Sequence, residues 1–189
     1  MTAFKDLENS VIDRMRKELP AHLTYHCVEH TELVIERSEY IAQKEGLSKA
    51  KIKLIKTAAL YHDFGFTKVY KDHEEKGVQI VKKELPAHGY TDKEIESICG
   101  MIMATKIPQR PNNDMENVIA DADLEYLGSN DFERIGNRLY KELKHFNPKL
   151  KISEWNEIQI KFMSSHHYHT NYCKRYRQWR KNSNLESLK

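Results

Sequence analysis

Glycine and proline are scarce in this sequence of 189 residues, with only 7 and 5 copies. An all-β fold would need more of both residues to build its many tight turns. Long apolar runs are also missing, because no stretch approaches the roughly 20 residues that a membrane-spanning helix requires. The N-terminus shows no signal-peptide pattern. The sequence therefore predicts an all-α protein that does not cross a membrane.

Cysteine is scarce as well. Cys27, Cys99 and Cys173 are far apart, cannot all pair with one another, and lack metal-finger spacing. A reducing, cytoplasmic location is the simplest expectation. The net charge of +3 is too small to indicate nucleic-acid binding. The ten histidines are the composition's one outlying feature.

The length fits one domain, since the chain can bury a substantial core and shows no repeat or linker. We expect a single helical domain over residues 1–189. Apolar periodicity predicts one helix over residues 3–19 and another from Thr24, as its cap, to Glu45. His26 and His30 fall on one face of that second helix. Each is either a satisfied core histidine or a ligand.

A third helix, predicted over residues 51–63, closes with the run Tyr61-His62-Asp63-Phe64-Gly65. Two adjacent ionisable residues at the end of an apolar helix are costly unless something pairs with them. Gly65 is expected to end this helix in the left-handed conformation. Imidazole nitrogen and carboxylate oxygen are common metal ligands, although an isolated His-Asp pair is more often an ordinary helix end.

A later apolar helix contains two acids, Asp121 and Asp123. Residues two apart on a helix point to nearly opposite faces, so a single site can readily use only one of them. Asp123 shares its face with the more apolar set, including Ile119 and Leu127. The sequence therefore predicts that Asp123 is the buried acid.

Together these residues resemble the HD superfamily of metal-dependent phosphohydrolases, whose signature is His…His-Asp…Asp. The resemblance covers about residues 25–130, and residues 131–189 are expected to form C-terminal helices without a motif. The matching elements are His30-Thr-Glu-Leu-Val34, Ala59-Leu60-Tyr61-His62-Asp63-Phe64-Gly65, Ala122-Asp123-Leu124 and His73-Glu-Glu-Lys-Gly77. The resemblance implies an HD-type helical bundle with His30, His62, Asp63 and Asp123 as metal ligands.

The implied cofactor is a divalent cation: manganese, iron, zinc, cobalt, nickel or magnesium. Such an ion lowers the pKa of bound water from about 15.7 to about 7, so that a metal-bound hydroxide attacks at neutral pH. The implied reaction is hydrolysis of a phosphate ester of a nucleotide or small metabolite. The expected partner is thus a small phosphorylated substrate.

Departures from the family pattern refine the expected roles. Members with two metals carry further histidines where this chain has Thr105-Lys106, so His73 is expected to be a proton donor or substrate contact, with a ligand of a second metal as the alternative. His73 and Asp63 are the expected catalytic residues. Many members also carry a lysine where Phe66 stands. The predicted phosphate-binding cations are Lys68, Lys106 and Arg110, each with a solvated surface charge as its alternative. His26 is expected to orient the ligands.

Three alternatives stay open on sequence grounds. The chain could be a non-catalytic, metal-stapled nucleotide-binding or regulatory module, which phosphatase turnover would exclude. It could be an iron oxygenase on the same fold, which bound iron with an optical signature would reveal. The basic, aromatic stretch from Lys174 to Lys181 could touch nucleic acid, but an amphipathic helix with its aromatics inward is the stronger expectation. The oligomeric state is open.

Overall fold

The computed structural model describes residues 3–189, and every regular element in that range is helical. The ten α-helices are α1 (Ala3–Glu18), α2 (Val28–Lys44), α3 (Lys49–Tyr61), α4 (His73–Glu84), α5 (Asp92–Ala104), α6 (Asp114–Asp123), α7 (Phe132–Phe146), α8 (Ile152–Ser165), α9 (Asn171–Tyr176) and α10 (Gln178–Glu186). Single 3-10 turns span Phe64–Thr67, Leu85–His88 and Glu125–Gly128. The all-α prediction is confirmed. A single domain over residues 1–189 stays a prediction, and Met1 and Thr2 lie outside the described residues.

None of the described helices is long and apolar enough to cross a bilayer.

The main core forms where α2 packs on α3 and α6, and α3 packs on α5. Its fully buried side chains include Ile41, Ile55, Leu60, Met101, Ile102 and Ile119. Each large aliphatic side chain buried in this way contributes about 1.5–3 kcal/mol. The packing fixes the ends of α3 and α6 and the start of α2 against one another, which is where the ligand-type side chains lie.

A second apolar cluster joins the C-terminal helices to the 3-10 turn at Glu125–Gly128. Its buried members are Tyr25, Leu124, Tyr126, Leu127, Phe132, Ile135 and Met163. The helices α7 and α8 therefore pack beside the helices that carry the motif residues and form a separate apolar surface, called here the apolar wall.

The third predicted helix ends two residues early, because α3 stops at Tyr61 and Asp63 has φ −102° and ψ 0°. The prediction for Gly65 is wrong, since the left-handed glycines of the described chain are Gly46 and Gly89. A Cβ atom at position 65 would overlap the backbone carbonyl of His73. Glycine is therefore required here because α4 begins directly against the turn.

The second predicted helix starts later than expected, with Cys27 as the N-cap of α2. Thr24 is not the cap, since its hydroxyl donates to the carbonyl of Arg138 at 2.7 Å. The prediction that His26 lies on this helix is wrong for the same reason. A buried carboxylate, Glu142, accepts both backbone N–H groups of Tyr25 and His26 and holds them outside the helix.

The C-terminal stretch also departs from the expected amphipathic pattern. Tyr176 and Trp179 are 48% and 59% exposed, whereas Lys181 is buried. The ammonium of Lys181 donates to the carbonyls of Met163 and His166 at 3.1 and 2.5 Å. These carbonyls close α8, so the lysine caps that helix end rather than facing solvent.

Candidate metal centre and the adjoining cavity

Three ligand-type side chains from three different helices converge near the middle of the molecule. His30 lies in the first turn of α2, His62 directly follows α3, and Asp123 is the last residue of α6. Their ligand atoms all lie within 4.8 Å of one another. His30 Nε2 is 3.1 Å from Asp123 Oδ1 and 3.3 Å from His62 Nε2.

Asp63 adds a fourth donor to this group. Its Oδ2 lies 3.5 Å from His30 Nε2 and 3.3 Å from His62 Nε2. The same oxygen is buried and makes no hydrogen bond within the described residues. An unpaired carboxylate oxygen is costly in the interior, and a cation would satisfy it. Two imidazoles and two carboxylates form a donor set that suits a divalent metal, so these residues fit the expected ion.

The orientation of His62 is fixed by its neighbour in α3. Its Nδ1–H donates to the carbonyl of Ala59 at 2.7 Å, which turns Nε2 toward the other donors. Burial disfavours the charged imidazole, but the adjacent Asp63 carboxylate outweighs burial and raises the pKa of His62 to about 9. A metal would therefore have to displace a proton from this nitrogen.

His73 begins α4 and faces the same group, with its Nε2 3.5 Å from Asp63 Oδ1. Its ring stacks on Phe66, with ring centroids 3.7 Å apart and planes inclined by 19°. Burial opposes ionisation of Asp63, but His62 and His73 hold the pKa of that carboxyl well below its usual range. Phe66, which stands where the resemblance implies a lysine, therefore covers one face of the His73 ring.

Sequence reasoning missed the pair formed by His26 and Glu142. His26 Nδ1 lies 2.5 Å from Glu142 Oε1, and the other carboxylate oxygen accepts the backbone N–H groups of Tyr25 and His26 at 2.9 and 3.1 Å. The ring of His26 packs on the ring of Phe66, with ring centroids 4.4 Å apart, and it also lies close to the ring of His73. His26 was visible beside the motif, whereas Glu142 lies 116 residues away and carries no signal of its own.

The two acids of α6 have different partners. Asp121 is fully buried and accepts hydrogen bonds from the backbone N–H groups of His169 and Thr170 and from the Thr170 hydroxyl, at 2.6–2.8 Å. The side chain of Asp123, by contrast, is 14% exposed. The prediction that Asp123 is the more buried acid is wrong, because its face of the helix opens toward a cavity.

Among the described residues, none of the three predicted phosphate-binding cations forms an ion pair with this group. Lys68 pairs with Glu18 at 2.6 Å. Lys106 pairs with Asp72 and Glu75, and Arg110 is exposed on its loop. The ion-pair partners of the two lysines therefore belong to α1, to α4 and to Asp72 directly before α4.

A cavity of about 350 Å³ opens beside the metal-ligand group. Asp63, His73 and Asp123 line one part of it, together with His26 and Thr105. Side chains of α7 and α8 line the remainder, among them Leu139, Leu143, Trp155, Phe162 and Met163. The volume lies within the range of small-molecule sites, so the ligand group is accessible to a small substrate.

A protein-family model described as HD domain matches residues 27–174, which extends beyond the motif-bearing core at about 25–130. No curated protein matches the chain. A "predicted HD superfamily hydrolase" from an uncultured Thermotogales bacterium is similar in structure, with a TM-score of 0.66 and 17% identity over 95% of this chain and 88% of that chain.

A second similar structure is Bacillus subtilis YpgQ in complex with ADP. Its TM-score is 0.56, with 21% identity over 96% of this chain and 93% of that chain. At these levels of identity, both likenesses establish a shared fold.

Proposed function

This chain belongs to the HD domain family, and on that premise we propose that it is a metal-dependent phosphohydrolase acting on a phosphate ester of a nucleotide or small metabolite. The observation that carries the proposal is the convergence of His30, His62 and Asp123, with Asp63 Oδ2 beside them, which makes no hydrogen bond within the described residues. A structural core would not collect four such groups at the edge of a cavity without a partner for them.

His30, His62, Asp63 and Asp123 would hold the metal. A divalent cation there, with manganese, iron, zinc, cobalt, nickel and magnesium as candidates, would supply Lewis-acid polarisation of a phosphoryl group and a bound water of lowered pKa. The bond from His62 Nδ1 to Ala59 keeps the other ring nitrogen aimed at this site. The two carboxylates provide the negative charge that favours a dication over a monocation.

His73 would act as the proton donor for the leaving group. It lines the cavity, its ring stacks on Phe66, and its Nε2 lies 3.5 Å from Asp63 Oδ1. A positioned donor of this kind contributes about 10² to 10⁴ in rate. Hydrolysis takes up one water, forms a new P–O bond to the water oxygen and breaks the P–O bond of the ester, whose oxygen takes the proton from His73.

The substrate class is supported less directly. Access through a cavity of about 350 Å³ suits a small phosphorylated molecule rather than a nucleic acid. The ADP bound to YpgQ, a protein of similar fold, makes a nucleotide one candidate. The free state of Cys27, Cys99 and Cys173 agrees with the proposed cytoplasmic location.

The test is phosphate release by purified protein that has been stripped with a chelator and reloaded with Mn2+, Co2+ or Mg2+. We expect turnover that depends on added metal and is lost in His62→Ala. His88→Ala is the matched control, because His88 is exposed in the 3-10 turn after α4.

Metal binding without phosphate release from any ester would contradict the enzyme and favour the regulatory module. Tightly bound iron with an optical signature would indicate the oxygenase instead.

A further inference from the structure

The cavity beside the metal-ligand group is polar at one end and apolar over the rest of its surface. Its polar end carries three carboxylates, those of Asp63, Glu74 and Asp123. No lysine or arginine lines it within the described part of the chain. Since phosphate groups in protein sites are neutralised mainly by arginine, lysine or a metal, this cavity offers one metal and histidines for that purpose.

The charge balance therefore suits one phosphate group and opposes several. A single phosphoryl group could bind the proposed dication and accept a hydrogen bond from His73, which lines the cavity. A di- or triphosphate would place further negative charge near the carboxylate of Glu74, where the neighbouring Lys106 already pairs with Asp72 and Glu75. The nearby lysines, Lys68 and Lys106, would first have to leave their carboxylate partners.

The apolar part of the cavity is built by α7 and α8. Leu139 and Leu143 come from α7, and Trp155, Ile158 and Phe162 from α8. These side chains would bind an apolar group by excluding water, and they offer few partners for the hydroxyls of a sugar. The single side-chain amide on this wall belongs, among the described residues, to Gln159.

From this charge pattern and this wall, we infer that the substrate is the phosphate monoester of an apolar alcohol, whose body lies against α7 and α8. The inference rests on the proposed function and narrows it: the metal-ligand group receives the single phosphate, and the apolar wall selects the alcohol. Products are the free alcohol and inorganic phosphate.

The test compares kcat/KM for hexyl phosphate, glycerol 3-phosphate, AMP and ADP with Mn2+-loaded protein. Hexyl and glycerol phosphates are both alkyl esters, so the pair isolates the polarity of the body from the chemistry of the leaving group. We expect hexyl phosphate to exceed glycerol phosphate and ADP by about 100-fold or more, since single apolar groups in such pockets already discriminate by about 10- to 200-fold. AMP, with one phosphate but a polar ribose, should fall between them.

A pair of variants on α8 tests whether the apolar body of the substrate lies against this helix. Ile158 lines the cavity and is 47% exposed, so Ile158→Lys should fold while placing a cation at the opening. It should lower the preference for hexyl phosphate over ADP by about tenfold or more. Ile152→Lys is the matched control, because Ile152 lies on the same helix, is 53% exposed and does not line this cavity.

The outcomes separate the inference from the proposed function. The inference would be overturned if ADP or glycerol phosphate were turned over as well as hexyl phosphate, or if the two lysine variants had equal effects. Either result would leave the proposed phosphohydrolase activity intact. Release of phosphate from no ester would overturn the proposed function. In that case calorimetry with hexylphosphonate and ADP decides the ligand class: tenfold tighter binding of the phosphonate supports an apolar ligand, and equal or tighter ADP binding overturns it.

Discussion

Glu142 should be among the most sensitive positions in the chain, although no motif includes it. Its side chain is fully buried and accepts three hydrogen bonds, two from backbone N–H groups of Tyr25 and His26 and one from the His26 ring. The contact ties α7 to the segment that leads into α2 and His30. Removing the carboxylate would release that segment and leave its donors unpaired.

The magnitude follows from these contacts. Glu142→Ala leaves one buried and two partly buried donors without an acceptor. Breaking a charged pair whose carboxylate is fully buried costs about 3–5 kcal/mol of the free energy of unfolding. Glu142→Gln keeps the size of the side chain and one acceptor for the backbone groups. It loses the charge, so we expect a smaller cost of about 1.5–3 kcal/mol, the worth of a hydrogen bond to a charged group.

The measurement is urea unfolding followed by circular dichroism, with thermal unfolding beside it. For a chain of this size each kcal/mol lowers Tm by about 2–4 °C, so Glu142→Ala should lose about 6–20 °C. Lys141→Ala is the control, since the neighbouring Lys141 is exposed on the same helix and should change stability by less than about 0.5 kcal/mol. A Glu142→Ala protein as stable as the Lys141 variant would refute the reasoning.

Acid provides a second readout of the same contact. Burial opposes ionisation of Glu142, but the His26 ring and two backbone N–H groups more than compensate and lower the pKa of Glu142 below its usual 4.5. Its contribution to stability is therefore present above the unfolded pKa and is lost as the pH falls through the folded pKa. The stability difference between the native protein and Glu142→Gln should be larger near about pH 6 than near about pH 3.

The remaining predictions concern the metal-ligand group and the turn beneath it. Asp123→Ala should abolish metal binding in elemental analysis, whereas Asp121→Ala should keep most of the metal but lower Tm; equal loss of metal would contradict this division. His73→Ala should lower kcat by about 10² to 10⁴ with metal content retained; an unchanged rate and metal content would return His73 to an ordinary role at the start of a helix. Gly65→Ala should lose about 1–3 kcal/mol in urea unfolding, because its Cβ overlaps the His73 carbonyl; a variant as stable as the native protein would show that α4 can move aside.

The sequence predicted the helical fold and the convergence of donors for a local reason. His62 and Asp63 are adjacent, and His30 and Asp123 each belong to a helix whose apolar face sets the direction of its side chains. Periodicity predicts helices that share a core, and the resemblance to the HD superfamily implied that these four groups meet there. The helix ends were less predictable, because Gly65 is needed for a close approach to His73 that no local pattern encodes.

Contacts between distant segments account for the other errors. Glu142 has no special neighbours in sequence, and its role depends on α7 reaching the segment before α2. The roles of Lys68 and Lys106 toward phosphate stay predictions, but the sequence did not predict their ion-pair partners on α1 and α4. Tertiary packing decides which carboxylate pairs with which cation, and the local sequence patterns used for the prediction do not reveal these pairs.

The bonds made by Asp121 have a consequence for local opening of the chain. The amides of His169 and Thr170 lie in an irregular segment, yet both donate to a fully buried carboxylate on α6. Exchange of these amide hydrogens with solvent deuterium should then require the segment to detach from α6, rather than a brief fluctuation of a loop. Because α6 also ends in Asp123, a bound metal should slow exchange at residues 169 and 170, on the far side of the helix from the ion.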